Sequence, residues 1–264
     1  MASNLECVGL ALDQRDLYDL IEPALPSAEV LGRRGELIVY RWQDPSGARL
    51  TVATRGGAVV DLLPTFAAEP GATLAQVRAA NDDVALADVL GSDGTLATKI
   101  AAEFEQRHFL PKAGRASIVA LGVDVTVHAS AAEFAASEAS LLSPGNEDPG
   151  PAPAHCAERG WPWPPRMAPD SFISYGQFAR DGPAEAYARL HGVVLSADVR
   201  TVAATGQRFV AARVRTVGFE AVVCLPADAD AAPPPPGGVV GGTVFLTGSI
   251  DGAPRRSWLP WKKR

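Results

Sequence analysis

The stretch that decides the fold is Gly192–Leu225, GVVLSADVRTVAATGQRFVAARVRTVGFEAVVCL. Its first and second runs, GVVLSADVRT (192–201) and RFVAARVRT (208–216), are rich in β-branched residues and flank Ala204-Thr205-Gly206-Gln207, a hairpin signal. FEAVVCL (219–225) reads as a third strand, and VVGGTVFLTGSI (239–250) follows the loop AAPPPPGG (231–238). The pair Gly241-Gly242 suits a bulge or a tight bend. Short, twisted strands with glycine bends fit a small antiparallel β-barrel over residues 170–264 better than a flat sheet. Phe172–Phe178, ahead of them, reads as a strand or a short irregular element.

Upstream lies Ser143–Pro169, in which 8 of 27 residues are proline. Proline fixes φ and pushes the preceding residue toward extended backbone, so the segment reads as a linker. The chain divides there into an acidic α+β domain (1–143), a proline-rich linker (144–169) and the β-rich part (170–264). In the first part, CVGLAL (7–12) reads as a buried strand. Asp13 is placed to cap a helix carrying Leu17, Leu20 and Ile21 on one face. ELIVYR (36–41), RLTVATR (49–55) and AVVDLL (58–63) read as strands, the first two joined by the turn Asp44-Pro45-Ser46-Gly47. Thr73 before Leu74–Ala80 suggests a helix, as do Leu96, Ile100 and Phe104 at spacings of four. SIVALGVDVTVH (117–128) is a strand, and Ser130 with Glu133 forms a capping box for a helix running to about Leu142. The expected fold class is α+β: a βαβββ-type unit with added helices, a linker, and a small barrel.

With 264 residues, 47% hydrophobic and 20% charged, the chain has the profile of a soluble globular protein of about two domains. No run of eighteen apolar residues occurs, and the N-terminus has no basic start before Glu6, so a cytoplasmic location is expected. Cys7, Cys156 and Cys224 are odd in number and widely spaced, which points to reduced thiols. Residues 1–150 hold 11 basic against 21 acidic residues and residues 151–264 hold 13 against 9. An acidic half joined to a basic half suggests an anionic partner for the second.

The opening ECVGLAL, its helix and ELIVYRWQDPSGARLTVATR resemble one βαβββ unit of the vicinal oxygen chelate family of glyoxalases, dioxygenases and bleomycin-resistance proteins. That resemblance implies a small-molecule binder or a metal-dependent enzyme. Where the family places a histidine ligand this chain has Glu6-Cys7, and Asp61 is the one carboxylate at the matching strand end, so no metal or catalytic role carries over. The C-terminal strands are similar in pattern to an oligonucleotide/oligosaccharide-binding barrel, which implies binding on a strand face through basic and aromatic side chains.

No phosphate-loop, nucleophile-elbow, HExxH or paired-cysteine motif is present, and the histidines are isolated in sequence. Catalytic residues, metal ligands and cofactors are therefore not assigned. The candidate binders are Arg200, Arg208, Arg213 and Arg215, together with Trp258, Trp261, Lys262, Lys263 and Arg264 of the tail RRSWLPWKKR. Alternation puts Arg213 and Arg215 on one strand face and Arg208 on the other. Indoles beside cations suit nucleic acid, and Trp161 and Trp163 are expected to be buried within the chain. The leading expectation is a binding or adaptor protein meeting an anionic polymer, such as nucleic acid, or a protein partner through its basic C-terminal part. The alternatives are a vicinal-oxygen-chelate-like small-molecule binder or enzyme, and a structural protein that self-associates.

Overall fold

A computed structural model describes residues 1–143, 150–178 and 183–251. Strands dominate it, with a few short helices and two sheets. Helix α1 (Gln14–Ile21) forms where the periodicity places it: the Asp13 carboxylate accepts the Asp16 N–H at 2.8 Å, and Leu17 and Ile21 are buried. Strands β1 (Glu29–Arg34), β2 (Leu37–Gln43), β3 (Ala48–Arg55) and β4 (Ala58–Phe66) make an antiparallel meander, the smaller sheet.

The larger sheet has nine strands: β5 (Ala72–Ala79), β6 (Ala85–Leu90), β7 (Leu96–Phe104), β8 (Gly114–His128), β9 (Phe172–Ser174), β10 (Tyr187–Thr201), β11 (Arg208–Thr216), β12 (Phe219–Pro226) and β13 (Val239–Asp251). Its axis is the pair β8–β13, antiparallel from Ala116↔Ile250 to His128↔Val239. Fifteen residues of β8 span about 50 Å at roughly 3.3 Å per residue. The outer edge of β8 takes β5 at residues 114–116 and then β12, in parallel, at 119–121. The outer edge of β13 takes β10 at 239–245 and then β7, in parallel, at 247–248. With the hairpins β5–β6–β7 and β10–β11–β12, the pairings close two five-strand circuits that share one ribbon.

The two circuits repeat each other. Leu74 faces Gly114 and Ala72 faces Ala116; likewise Leu190 faces Gly242 and Ala188 faces Val244. Even-numbered residues of β8, β10, β11 and β13 (Ile118, Leu190, Ala212, Leu246) fill one continuous core between the circuits. The opposite face of the ribbon, Val119 and Leu121, meets Leu50, Val52 and Phe66 of the meander, with Cys7, Val8 and Leu10 closing that second core.

Several expectations are corrected here. CVGLAL is not a strand: Ser3 and Glu6 exchange hydrogen bonds (Ser3 N–H to Glu6 Oε2, 2.5 Å; Glu6 N–H to Ser3 Oγ, 3.2 Å), which fixes a 3-10 turn at Glu6–Val8. The first unit is thus a helix followed by four strands, rather than βαβββ. Leu74–Ala80 lies in β5, and Leu96–Phe104 is β7. A spacing of four satisfies the two-residue period of a strand as well as a helical face, and Ile100, Ala102 and Phe104 are all buried. The helix after Ser130 ends at Ala136 (α2, Ala131–Ala136) and gives way to a 3-10 turn at Glu138–Ser140. The C-terminal barrel is not closed by its own strands: β8 comes from the N-terminal side of the proline-rich segment and meets β12 in parallel. Within that segment, Ala154–Arg159 is a short helix, α3. Trp161 is 52% exposed, against the arginine of Arg159 at 4.8 Å, so it is not buried as expected. All three cysteines are free and buried. Among the described residues no helix is long and apolar enough to cross a membrane.

Polar contacts fasten the meander to the circuits. The fully buried Glu105 carboxylate accepts Arg41 Nε and Nη2 at 2.7 and 2.6 Å and Thr51 Oγ1 at 3.2 Å, with Arg49 at 3.6 Å. The buried Asp44 carboxylate accepts the N–H groups of Ser46, Ala203 and Ala204, tying the β2–β3 turn to the β10–β11 loop and holding its pKa below the usual carboxylate value despite burial. Further along the ribbon, beside Gly241, His191 is fully buried against Phe134 at 4.7 Å between ring centroids. Ser171 Oγ donates to the Ala168 carbonyl, so His191 Nδ1–H donates to Ser171 and Nε2 is left as an acceptor without a donor.

Removing Arg41 strands a buried charge. Arg41→Met should lower unfolding free energy by about 3 kcal/mol in urea titration, whereas the Arg41→Met/Glu105→Leu pair should recover much of it. Burial, then Arg189 and His128, depress the His191 pKa from 6.5 to about 4. The folded state favours the neutral ring, so its stabilisation is complete above pH 6.5 and is lost as pH falls toward 4. Melting temperatures of the protein and of His191→Gln from pH 7 to pH 4.5 should show a shallower acid decline in the variant; parallel curves would refute this.

Candidate anion-binding cleft

Where the two circuits abut, the backbone leaves an open cleft of about 600 Å³. Its walls are the start of β5 (Gly71–Thr73), the end of β6 and its turn (Leu90–Ser92), Arg115 of β8, and the β11–β12 hairpin (Arg215, Thr216 and Gly218–Glu220). Close backbone approach forms the seam: the Glu220 N–H donates to the Gly71 carbonyl at 3.1 Å. A Cβ on Gly71 would lie 2.5 Å from the Glu220 carbonyl oxygen. Gly218, at φ +85, turns the hairpin in the left-handed region and leaves only 2.6 Å for a Cβ beside Ala97.

The electrostatics follow from strand register. Arg215 and Glu220 are direct cross-strand partners, yet Glu220 pairs diagonally: Arg213 Nε and Nη2 both donate to Glu220 Oε2, at 2.8 and 2.5 Å. Arg215 has no carboxylate partner among the described residues. Arg115 donates to the Pro70 carbonyl at 3.1 Å and also has no ion-pair partner among the described residues. Two exposed arginines, one on the shared strand β8 and one on β11, therefore line one concave space, and Thr73 and Ser92 add hydroxyl-bearing residues to its wall. Guanidinium forks and hydroxyl donors suit phosphate or carboxylate oxygens.

Of the arginines singled out from sequence, Arg213 and Arg215 share a surface and Arg208 and Arg200 do not join them. Arg208 lies seven residues from Arg215 along β11, about 23 Å at strand rise, and its Nη1 donates to the carbonyls of Asp228 (3.2 Å) and Ala229. Arg200 pairs with Asp198 at 3.1 Å. Trp258, Trp261, Lys262, Lys263 and Arg264 lie outside the described residues. The last described residue, Asp251, pairs in register with Arg115.

Sequence reasoning missed Arg115, Gly71 and Thr73. The β-prone run read from Ser117 extends back through Arg115 as RASIVALGVDVTVH, and Thr73 reads as a helix cap when β5 is taken for a helix. No cluster of three or more metal-ligating side chains occurs among the described residues. No family model, curated protein or solved structure matches the chain.

The Arg213–Glu220 pair is exposed, at 58% and 35% of its side chains, so it contributes little to stability. Single changes to glutamine at Arg115, Arg213, Arg215 or Glu220 should each shift unfolding free energy by less than about 1 kcal/mol in urea titration. A larger loss would mean that the residue is a structural anchor of the seam.

Proposed function

We propose that the protein is a binding protein that holds an anionic polymer, nucleic acid being the candidate, in the cleft between the two circuits. The observation that carries this reading is the convergence of Arg115, from the shared strand β8, and Arg215, from the β11–β12 hairpin, on one open concavity, neither having an ion-pair partner among the described residues. The chain's net charge of −6 does not oppose local binding, since association at physiological salt is governed by charges within about 8 Å. The basic side chains supply affinity through counterion release, and the cleft walls supply position.

Fluorescence anisotropy of a labelled single-stranded oligonucleotide, titrated with the full chain at several salt concentrations, tests the reading. Binding should weaken as salt rises. The Arg115→Gln/Arg215→Gln double variant should bind more weakly and reduce the slope of log K against log salt by about 1.4, at roughly 0.7 per phosphate contact on a single strand. Changing Lys262, Lys263 and Arg264 to glutamine measures the contribution of the tail in the same assay. No binding by the protein, or unchanged slope and affinity in the double variant, would overturn the proposal.

A further inference from the structure

We infer that Glu220 makes the cleft selective for anionic ligands that also carry a hydrogen-bond donor, a nucleotide unit rather than a bare polyanion. This rests on the anion-binding reading of the cleft. Glu220 lines the same wall as Arg215 and lies opposite it in the β11–β12 ladder. Its backbone is pinned to Gly71 across the seam, so its position at the wall is fixed by main-chain contacts.

The carboxylate has a divided role. Both Arg213 donors go to Oε2, while Oε1 accepts no hydrogen bond among the described residues. A ligand in the cleft thus meets two guanidinium groups that have no ion-pair partner among the described residues, and one carboxylate oxygen that accepts no hydrogen bond among them. A phosphate bearing a sugar hydroxyl or a base amine satisfies all three: its oxygens accept from Arg115 and Arg215, and its donor reaches Oε1. Carboxylates accept from base amines in this way. A chain of phosphates without donors places like charge against Glu220 and leaves that oxygen unsatisfied. Specificity then comes from a repulsive element set among attractive ones. Arg213 moderates the repulsion, since it neutralises Oε2 from the side.

The test is a competition experiment on the full chain. A bound, labelled single-stranded oligonucleotide is displaced either by the same oligonucleotide unlabelled or by inorganic polyphosphate of equal charge, and the ratio of the two midpoints is the readout. The unmodified protein should favour the oligonucleotide. Glu220→Gln, which keeps the side-chain shape, should narrow the ratio by about three- to fivefold, chiefly by improving polyphosphate binding. Arg213→Gln should shift the ratio in the opposite direction, because it frees the carboxylate. Circular dichroism and melting temperature establish that both variants are folded. Polyphosphate preferred by the unmodified protein, or a ratio unchanged in Glu220→Gln while Arg115→Gln/Arg215→Gln weakens both ligands, would overturn the selectivity and leave the anion cleft standing. Indifference of both ligands to the double arginine change would remove the cleft reading itself, and the selectivity with it.

Discussion

The antiparallel ribbon of β8 and β13 is the constraint on which the rest of the structure depends. Each strand has two edges; one edge of each is used along its length by the other strand, and the remaining edges are divided between the two hairpin sets. Neither β5–β6–β7 nor β10–β11–β12 closes on itself. Each needs the ribbon to satisfy the backbone groups of its outer strands, and unpaired strand edges expose a row of donors and acceptors. The shared ribbon also explains why one apolar core runs through both circuits, with Ile118 and Leu246 contributing from the shared strands. On its other face the same strands present Val119 and Leu121 as the platform for the meander.

The cleft is a by-product of that arrangement. Two hairpin sets on one ribbon must abut, and where Gly71 and Glu220 approach through their main chains the surrounding side chains define a concavity. Its charge comes from register rather than composition. Direct pairing of Arg215 with Glu220 would have neutralised the wall, but the diagonal Arg213 contact leaves Arg215 open. Elsewhere in the molecule arginines are consumed structurally: Arg41 holds the buried Glu105 carboxylate, and Arg189 donates to the carbonyls of Ala139, Leu141 and Leu142. A count of basic residues could not separate these uses.

The legible parts of the sequence were those governed by local chemistry. Asp13 capped its helix, Asp44-Pro45-Ser46-Gly47 turned β2 into β3, and the β-prone runs at 192–201, 208–216, 219–225 and 239–250 became β10 to β13. What failed was the choice of period where residues recur every fourth position, as at Leu96, Ile100 and Phe104, because strand and helix both satisfy it. The reciprocal Ser3–Glu6 hydrogen bonds belong to the same class of local signal, a serine followed three residues later by a glutamate. Long-range pairing was not readable: nothing near Ser117–His128 states that its partners lie about a hundred residues further on. The candidate cleft inherits that limit, since Arg115 and Arg215 meet only once β8 and β12 pair. Arg213 and Arg215 were found by alternation along one strand, which is a local signal.

The shared ribbon also imposes an order in time. A ribosome releases residues 72–128 well before residues 239–251, so the first circuit waits with the β7 edge and most of the β8 edge uncovered while more than a hundred further residues are made. Pairings of such sequence separation are slow to form and leave sheet edges open to wrong partners. Both circuits are sealed by one late strand, so the nascent chain has no closed half to rest in. Folding of both circuits is thereby tied to the synthesis of β13, and the most vulnerable species is the nascent chain that has not yet reached it.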